Sequence, residues 1–302
     1  MTLQQLRYIL AIASHQSISE AAKDCFITQP TLTAAVHELE AELGITIFNR
    51  TRKGVTLTAQ GEEFLGYARQ VIEQTSLIEE KYTGNSTRKH GFCISAQHYS
   101  FVVEAFIDLL QQFEGQEYDF RIRETQTYEI IEDVAGHRSE IGILYLNKFN
   151  ETILKKEFHR HELVFHPLFT ASPHVFVSDC NPLAQLEKIE LADLEPYPRL
   201  SYEQGEHNSF TYSEEILSTL ECRKEIVVRD RATLFNLLIG LNGYTICSGI
   251  ISEQLNGKHI VSVPLNVDDG MEIGYLIHKR IIPNLLTLKY IDALKNRIPA
   301  ID

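Results

Sequence analysis

The chain is poor in the features that mark most specialised protein classes. Its five cysteines (Cys25, Cys93, Cys180, Cys222 and Cys247) are odd in number, scattered, and contain no CxxC pair. That excludes a disulfide framework and a zinc site, and leaves reduced, buried thiols as the expectation. No apolar run approaches the roughly 20 residues that a membrane-spanning helix needs. The first residues, MTLQQLRYILAIASHQSIS, carry Arg7 and no clear cleavage site, so they read as mature structure and the protein as cytoplasmic, without a membrane partner. There is no GxSxG elbow, no GxxxxGK[ST] loop and no HExxH; Ser248, in Cys247-Ser248-Gly249, lacks the first glycine of an elbow. These gaps leave no catalytic residue, cofactor or metal to expect. His159-Arg160-His161 has two imidazoles but no third ligand, and reads as an exposed polar loop.

Positive charge is also scarce. Against 41 Asp and Glu there are 28 Lys and Arg, for a net charge of -13. The deficit is uneven. Residues 1–90 hold nine basic against ten acidic side chains, while the remainder holds 19 against 31. The N-terminal part is therefore nearly neutral, with one dense basic cluster at Arg50-Thr51-Arg52-Lys53. Apolar residues at 44% are ample for a buried core, and 302 residues suit two or three domains.

Apolar periodicity predicts a helix over 3–13, a second over 20–25 capped by Ser19, and a third capped by Thr28. Pro30 in the first turn of the third and Gly44 after its end are a natural start and stop. Two β-rich segments, 45–48 and 55–57, flank the basic cluster as a hairpin. A helix-turn-helix followed by a basic hairpin is a winged helix, which can place a helix in the major groove of DNA and a wing on phosphates or in the minor groove. Gln29 suits bidentate contact with adenine, and Thr31 and Thr33 suit a phosphate or a thymine methyl. Ser19, Thr28 and Pro30 belong to the same surface. Arg50, Arg52 and Lys53 neutralise phosphates, although Arg50 could equally brace the wing.

Thr58 is expected to cap a long helix to about Lys81. Its apolar positions Phe64, Ala68, Val71, Thr75, Ile78 and Tyr82 repeat at spacings of 4, 3, 4, 3 and 4, a narrow seam suited to a two-helix dimer contact. Residues 84–91 form a polar linker. From Phe92 onward strands and helices alternate, an α/β pattern. Strands are expected at 92–96, 119–124, 141–146, 174–177, 199–202, 225–229, 244–248 and 273–278. Helices are expected at 101–113, 128–136, 209–220, 232–241 and 283–297.

The first 66 residues resemble the LysR-type transcriptional regulators. The resemblance is carried by Leu6-Arg7-Tyr8, Ser19-Glu20-Ala21-Ala22, Thr28-Gln29-Pro30-Thr31-Leu32-Thr33, Leu39-Glu40-Ala41-Glu42-Leu43-Gly44, Ile47-Phe48-Asn49-Arg50 and Leu57-Thr58-Ala59-Gln60-Gly61. It continues more weakly through Ile141-Gly142-Ile143-Leu144, Asn181-Pro182-Leu183-Ala184 and Leu241 to Ile246. It implies an N-terminal winged helix-turn-helix domain (1–58), a linker and dimerisation helix with hinge (59–90), and a C-terminal two-lobed α/β effector domain like the periplasmic binding proteins. Lobe one would comprise 91–168 with 265–302 and lobe two 169–264, with crossings near 169–175 and 263–273.

The same resemblance implies a ligand-responsive regulator, activator or repressor, that binds double-stranded promoter DNA as a homodimer or homotetramer, with RNA polymerase a further candidate partner. Many relatives carry Arg just after the Thr33 position, where this sequence has Ala34-Ala35, so base readout falls to Gln29, Thr31, Thr33 and the wing. The peroxide-sensing branch places a Cys pair in the segment that here spans 202–209 and holds none, so a peroxide switch of that design is not expected. For the effector, helix N-termini facing the cleft favour an anion. Gln97, His98, Ser100, Thr125, Thr127, Tyr202, Glu203 and Thr233 are the candidates, and a small carboxylate or amino-acid-like compound the expected ligand. Simple helix capping is the competing reading of each. The rival readings of the whole chain are an α/β enzyme and a plain solute-binding domain.

Overall fold

The computed structural model describes residues 1–51, 54–83, 90–112, 117–207 and 209–298. The chain forms two compact units, residues 1–91 with 136–138, and 92–135 with 139–302.

The first unit opens with helices α1 (Leu3–His15), α2 (Ile18–Asp24) and α3 (Gln29–Leu43). Ile9 and Ile12 of α1, Ala21 and Ala22 of α2, and Leu32, Val36 and Leu39 of α3 share one core. Ser17, not Ser19, caps α2, accepting a hydrogen bond from Glu20 N. The helix therefore begins two residues early, and Ser19 lies in its first turn. Thr28 caps α3 as expected, and Gly44 ends it with φ 67°, a left-handed conformation that glycine adopts without a Cβ penalty.

The hairpin pairs β1 (Phe48–Thr51) with β2 (Gly54–Leu57). Its first strand starts three residues later than expected. Glu40 Oε1 accepts from both Ile47 N (2.7 Å) and Phe48 N (3.2 Å), which ties the preceding segment to α3 instead of to a ladder. Thr58 Oγ1 accepts from Gly61 N at the start of α4 (Ala59–Thr83). Leu65, Ala68 and Ile72 are buried apolar residues of α4, and Ala68 and Ile72 cluster with Leu6 of α1.

In the second unit β3 (His90–Ala96), α5 (Ser100–Gln111), β4 (Tyr118–Glu124), α6 (Thr127–Ala135), β5 (Ile141–Leu146), α7 (Glu151–Arg160) and β6 (Leu163–Ala171) follow in order. A five-stranded sheet has the order β4-β3-β5-β12-β6, with β12 spanning Met271–His278. Strand β3 runs parallel to β5, and β12 is antiparallel to β5 and β6. Every residue of β5 is buried. Ile141, Ile143 and Tyr145 join the core on the side of α5 and α10 (Leu285–Asn296), while Leu144 and Leu146 join that of α6 and α7. A central strand covered by helices on both faces explains its unbroken apolar run. Gly142 is required there, since a Cβ would meet Ile130 Cγ2 at 2.7 Å.

Between Ala171 and His174 the chain passes to a three-stranded sheet, β10-β7-β11, built of β7 (His174–Ser178), β10 (Thr245–Cys247) and β11 (Ile260–Pro264). It returns between Pro264 and Met271. Strands β8 (Arg199–Tyr202) and β9 (Glu225–Val228) form a parallel pair, bridged to β10's approach through Arg199 and Tyr244. Helix α8 (Arg231–Leu241) covers this lobe through Leu234 and Leu238, and α9 (Glu253–Asn256) is a single turn.

The structure corrects three expectations here. Residues 209–220 are not a helix. They hold one 3-10 turn, Phe210–Tyr212, followed by irregular backbone with Leu217 at φ 57°. Residues 151–160 are helical, so His159-Arg160-His161 ends a helix instead of lying in a loop, and no group of three metal-ligating side chains occurs among the described residues. Strands β6 and β11 have no counterpart among the expected strands. Strand β6 is an edge strand that carries Pro167 at a register shift opposite Gly274, a place that tolerates proline.

Candidate functional site

Two surfaces carry chemistry. The first is the exposed N-terminal end of α3. Gln29, Pro30 and Thr31 are exposed there, whereas Thr33 is half-buried. Ser19 Oγ donates to Gln29 Oε1 at 2.9 Å, which holds the amide in place across the turn. The hydroxyls of Thr28 and Thr31 are 2.8 Å apart. Leu32, Val36 and Leu39 face the core, so Thr31, Ala34 and Glu38 mark the outer face. Arg52 and Lys53 lie outside the described residues, and of Arg50 only the backbone, in β1, is described.

The α4 seam divides. Ala68, 1% exposed, is covered by α1 of its own chain, and Phe64 packs beside it, so these two are core residues of the N-terminal unit. Val71 and Ile78 remain outside at 43% and 60% exposure. Thr75 is half-buried and returns its hydroxyl to Val71 O. The side chain of Tyr82 lies outside the described residues.

The second surface is a cavity between the two sheets of the second unit. It encloses about 510 Å³ of empty space, its open mouth included. Its polar lining comes from His98, Ser100, Tyr202, Glu214, Glu215, Thr245, Cys247 and Ser248, and its apolar walls include Phe176, Phe235 and Met271. Glu214 and Glu215 are both buried. Glu214 accepts from His98 N (3.0 Å) and pairs with His98 Nδ1 (2.8 Å). The His98 ring stacks on Tyr202, with centroids 3.8 Å apart and planes 3° from parallel. Glu215 Oε1 accepts from Tyr202 N at 2.8 Å. Burial, reinforced by the neighbouring Glu214 carboxylate, pushes Glu215 up to about 8, so it holds a proton at neutral pH. Burial likewise pushes the Cys247 thiol and the Tyr202 phenol up, which keeps both neutral.

Of the eight effector candidates, His98, Ser100 and Tyr202 line this cavity. The others are engaged elsewhere. Gln97 is fully buried, donating to Thr127 Oγ1 and accepting from Tyr99 OH and Tyr145 N, and works as an internal bolt. Thr127 N, the helix N-terminus expected to meet an anion, already donates to Gln204 Oε1 at 3.1 Å. Thr125 bonds Glu129, and Glu203 pairs with Arg229 on the surface. Thr233 is exposed and tied to its cap, Asp230. Ser100 is the first residue of α5 and not its cap; its hydroxyl accepts from Arg231 (3.4 Å) and Asn256 (3.1 Å) of the other lobe. Arg231 in turn is ion-paired with Glu124.

Sequence reasoning missed Glu214, Glu215, Thr245, Cys247 and Ser248. The adjacent acids sit in a segment that reads as an amphipathic helix, where two carboxylates pass for solvated surface. Their apolar surroundings, Ile216 beside them above all, were the available signal.

Comparison with known proteins gives matches along nearly the whole chain. Residues 3–62 match the family described as bacterial regulatory helix-turn-helix protein, lysR family, and residues 93–298 match the LysR substrate binding domain. The dual regulator OxyR of Escherichia coli K12 is 24% identical over 208 residues, covering 68% of this chain and 65% of that protein. The regulator ClcR of Pseudomonas putida is 42% identical over 112 residues, covering 37% of this chain and 38% of that protein. The chain thus spans 65% of the length of the peroxide-gene regulators it matches. Among solved structures, a full-length OxyR variant of Pseudomonas aeruginosa aligns with a TM-score of 0.63 at 20% identity, over 98% of this chain and 94% of that one. CbnR, a LysR family regulator, aligns at 0.54 and 18% identity, over 98% and 99%. At these identities the structural likeness establishes the fold.

Proposed function

The chain belongs to the LysR family, and from that premise we propose that it is a DNA-binding transcriptional regulator, activator or repressor, switched by a small molecule in the cavity between its two sheets. One observation carries the DNA-binding half: Gln29 and Thr31 stand exposed at the start of a helix whose opposite face is fully buried, with Gln29 oriented by Ser19. Such a helix end can enter a major groove with its amide already fixed. Residues 1–58 bind promoter DNA, 59–90 join protomers, and lobes one (91–168 with 265–302) and two (169–264) enclose the effector.

The oligomer is a homodimer or homotetramer, held in part through Val71, Thr75 and Ile78. The site of action is the cytoplasm, with RNA polymerase the further partner; no described helix is long and apolar enough to cross a membrane. A peroxide response is not proposed, since no Cys occurs in 202–209. The test is selection from a random pool of double-stranded DNA, followed by gel shifts at increasing salt. Enrichment of one sequence with salt-sensitive binding supports the reading. Failure to enrich any sequence overturns it.

A further inference from the structure

The cavity described above has an unusual donor and acceptor balance. Two carboxylates line it, and no Lys or Arg does. Glu214 has a partner in His98, but Glu215 has no cation in hydrogen-bond contact among the described residues; the Tyr202 backbone N–H is what it holds. Two further groups point the same way. Thr245 and Ser248 line the cavity, both more than nine-tenths buried, and their hydroxyls make no hydrogen bond among the described residues. Their hydroxyls therefore open to the cavity and are free to bond a ligand on the same lining as Glu215. Phe176, Phe235 and Tyr202 add aromatic faces to the same walls.

Among the lining side chains an anionic ligand would find Glu214 and no Lys or Arg; the uncapped N-terminus of α5, at Tyr99 and Ser100, also lines the cavity and is the one feature there that would favour an anion. A protonated amine meets the opposite situation. Its N–H groups find the Glu215 carboxylate and two hydroxyl oxygens, and its charge can lie over an aromatic face. We propose that this cavity receives a small molecule carrying a protonated amine on an apolar body, with the ammonium held by Glu215, Thr245 and Ser248. The proposal rests on reading the cavity as the effector site. It narrows the ligand class to amines, and an amino-acid-like compound would bind through its ammonium, not its carboxylate.

Binding has a proton signature. The titratable groups facing Glu215 are Glu214 beside it, His98 and Tyr99 from the turn after β3, Tyr145 from β5, Tyr202 from β8 and Cys247 from β10. Without ligand Glu215 is protonated near neutral pH. An ammonium stabilises its ionised form, so binding at pH 7 releases up to about one proton, and affinity rises toward pH 8 by up to about tenfold per pH unit.

The experiment uses the full chain with benzylamine, phenethylamine and butylamine as probes, matched against benzoate, phenylacetate and butyrate. Amines are expected to raise Tm by about 2 °C or more and the carboxylates not to. Titration calorimetry of the best amine in two buffers of different ionisation enthalpy should show proton release. Glu215→Gln should abolish both effects, and Ser248→Ala, a smaller change, should weaken binding while leaving the fold intact. Stabilisation by the carboxylates alone, amine binding unchanged in both variants, or silence of every amine overturns the proposal. The same preparations are assayed for sequence-selective DNA binding. Intact DNA selectivity with silent amines removes the ligand assignment only, whereas loss of selectivity in the unmodified chain removes the regulator reading beneath it.

Discussion

Glu215 should make the folded chain lose stability as pH rises, and Glu215→Gln should remove that loss. The carboxyl is 6% exposed, and its proton affinity is raised from 4.5 to about 8, first by burial and then by Glu214. Below pH 4.5 the group is protonated in both the folded and unfolded chain, so its contribution is fully present. Between 4.5 and 8 the unfolded chain releases the proton and the folded chain keeps it, so stability falls. Above about 8 both states are ionised and the curve flattens. That separation, at about 1.4 kcal/mol per pH unit, amounts to about 5 kcal/mol. For a unit of some 200 residues, each kcal/mol moves Tm by about 2–4 °C, so the variant should gain on the parent by about 10–20 °C between pH 4.5 and 8. Differential scanning of both proteins at matched pH gives the difference for Glu215 together with its coupling to Glu214, since carboxylates not coupled to it cancel. Curves that run parallel across this range would show that Glu215 is not held neutral by its surroundings, and the electrostatic account of the cavity would fall with it.

Three further outcomes follow from the N-terminal unit. Gln29→Ala should weaken binding to the selected DNA sequence by about 1–3 kcal/mol with little change on random DNA, and Ser19→Ala should reproduce part of that loss by freeing the amide; equal losses on both DNAs in gel shifts would show that Gln29 does not read bases. Ile78→Asp should dissociate the oligomer in light scattering and leave the helical signal unchanged, because Ile78 is exposed in the single chain, whereas Ala68→Asp should melt the N-terminal unit, because Ala68 is packed on α1. Removing Arg52 and Lys53 together deletes four charges per dimer and should lower the salt slope of log affinity by up to about 3.6; a full slope in the double variant would take the wing off the phosphates.

What could be read from the sequence and what could not divide along a physical line. The start of α3 is legible because Thr28, Gln29 and Pro30 act locally: a cap, an exposed amide and a missing N–H act within one turn of the backbone. Strand β5 is legible for a similar reason, since Ile141–Leu146 is an unbroken apolar run whose period needs no partner to be seen. The capping of α2 is misread because Ser17 and Ser19 are chemically equivalent caps, and packing of Ala21 and Ala22 makes the choice between them. The seam of α4 is misread in part because a 4–3 repeat states which residues share a stripe and not which neighbour covers it; α1 covers Ala68, and Ile78 is left outside. The cavity is hardest. Its two acids lie in a stretch whose local pattern suits a helix, yet His98 N and Tyr202 N, 116 and 13 residues away, donate to Glu214 and Glu215 and hold the segment in turns. Two hydrogen bonds to buried carboxyl groups outweigh the few tenths of a kcal/mol per residue that favour helix. The cavity is therefore written in contacts between segments far apart in the chain, which a reading confined to neighbouring residues does not reach.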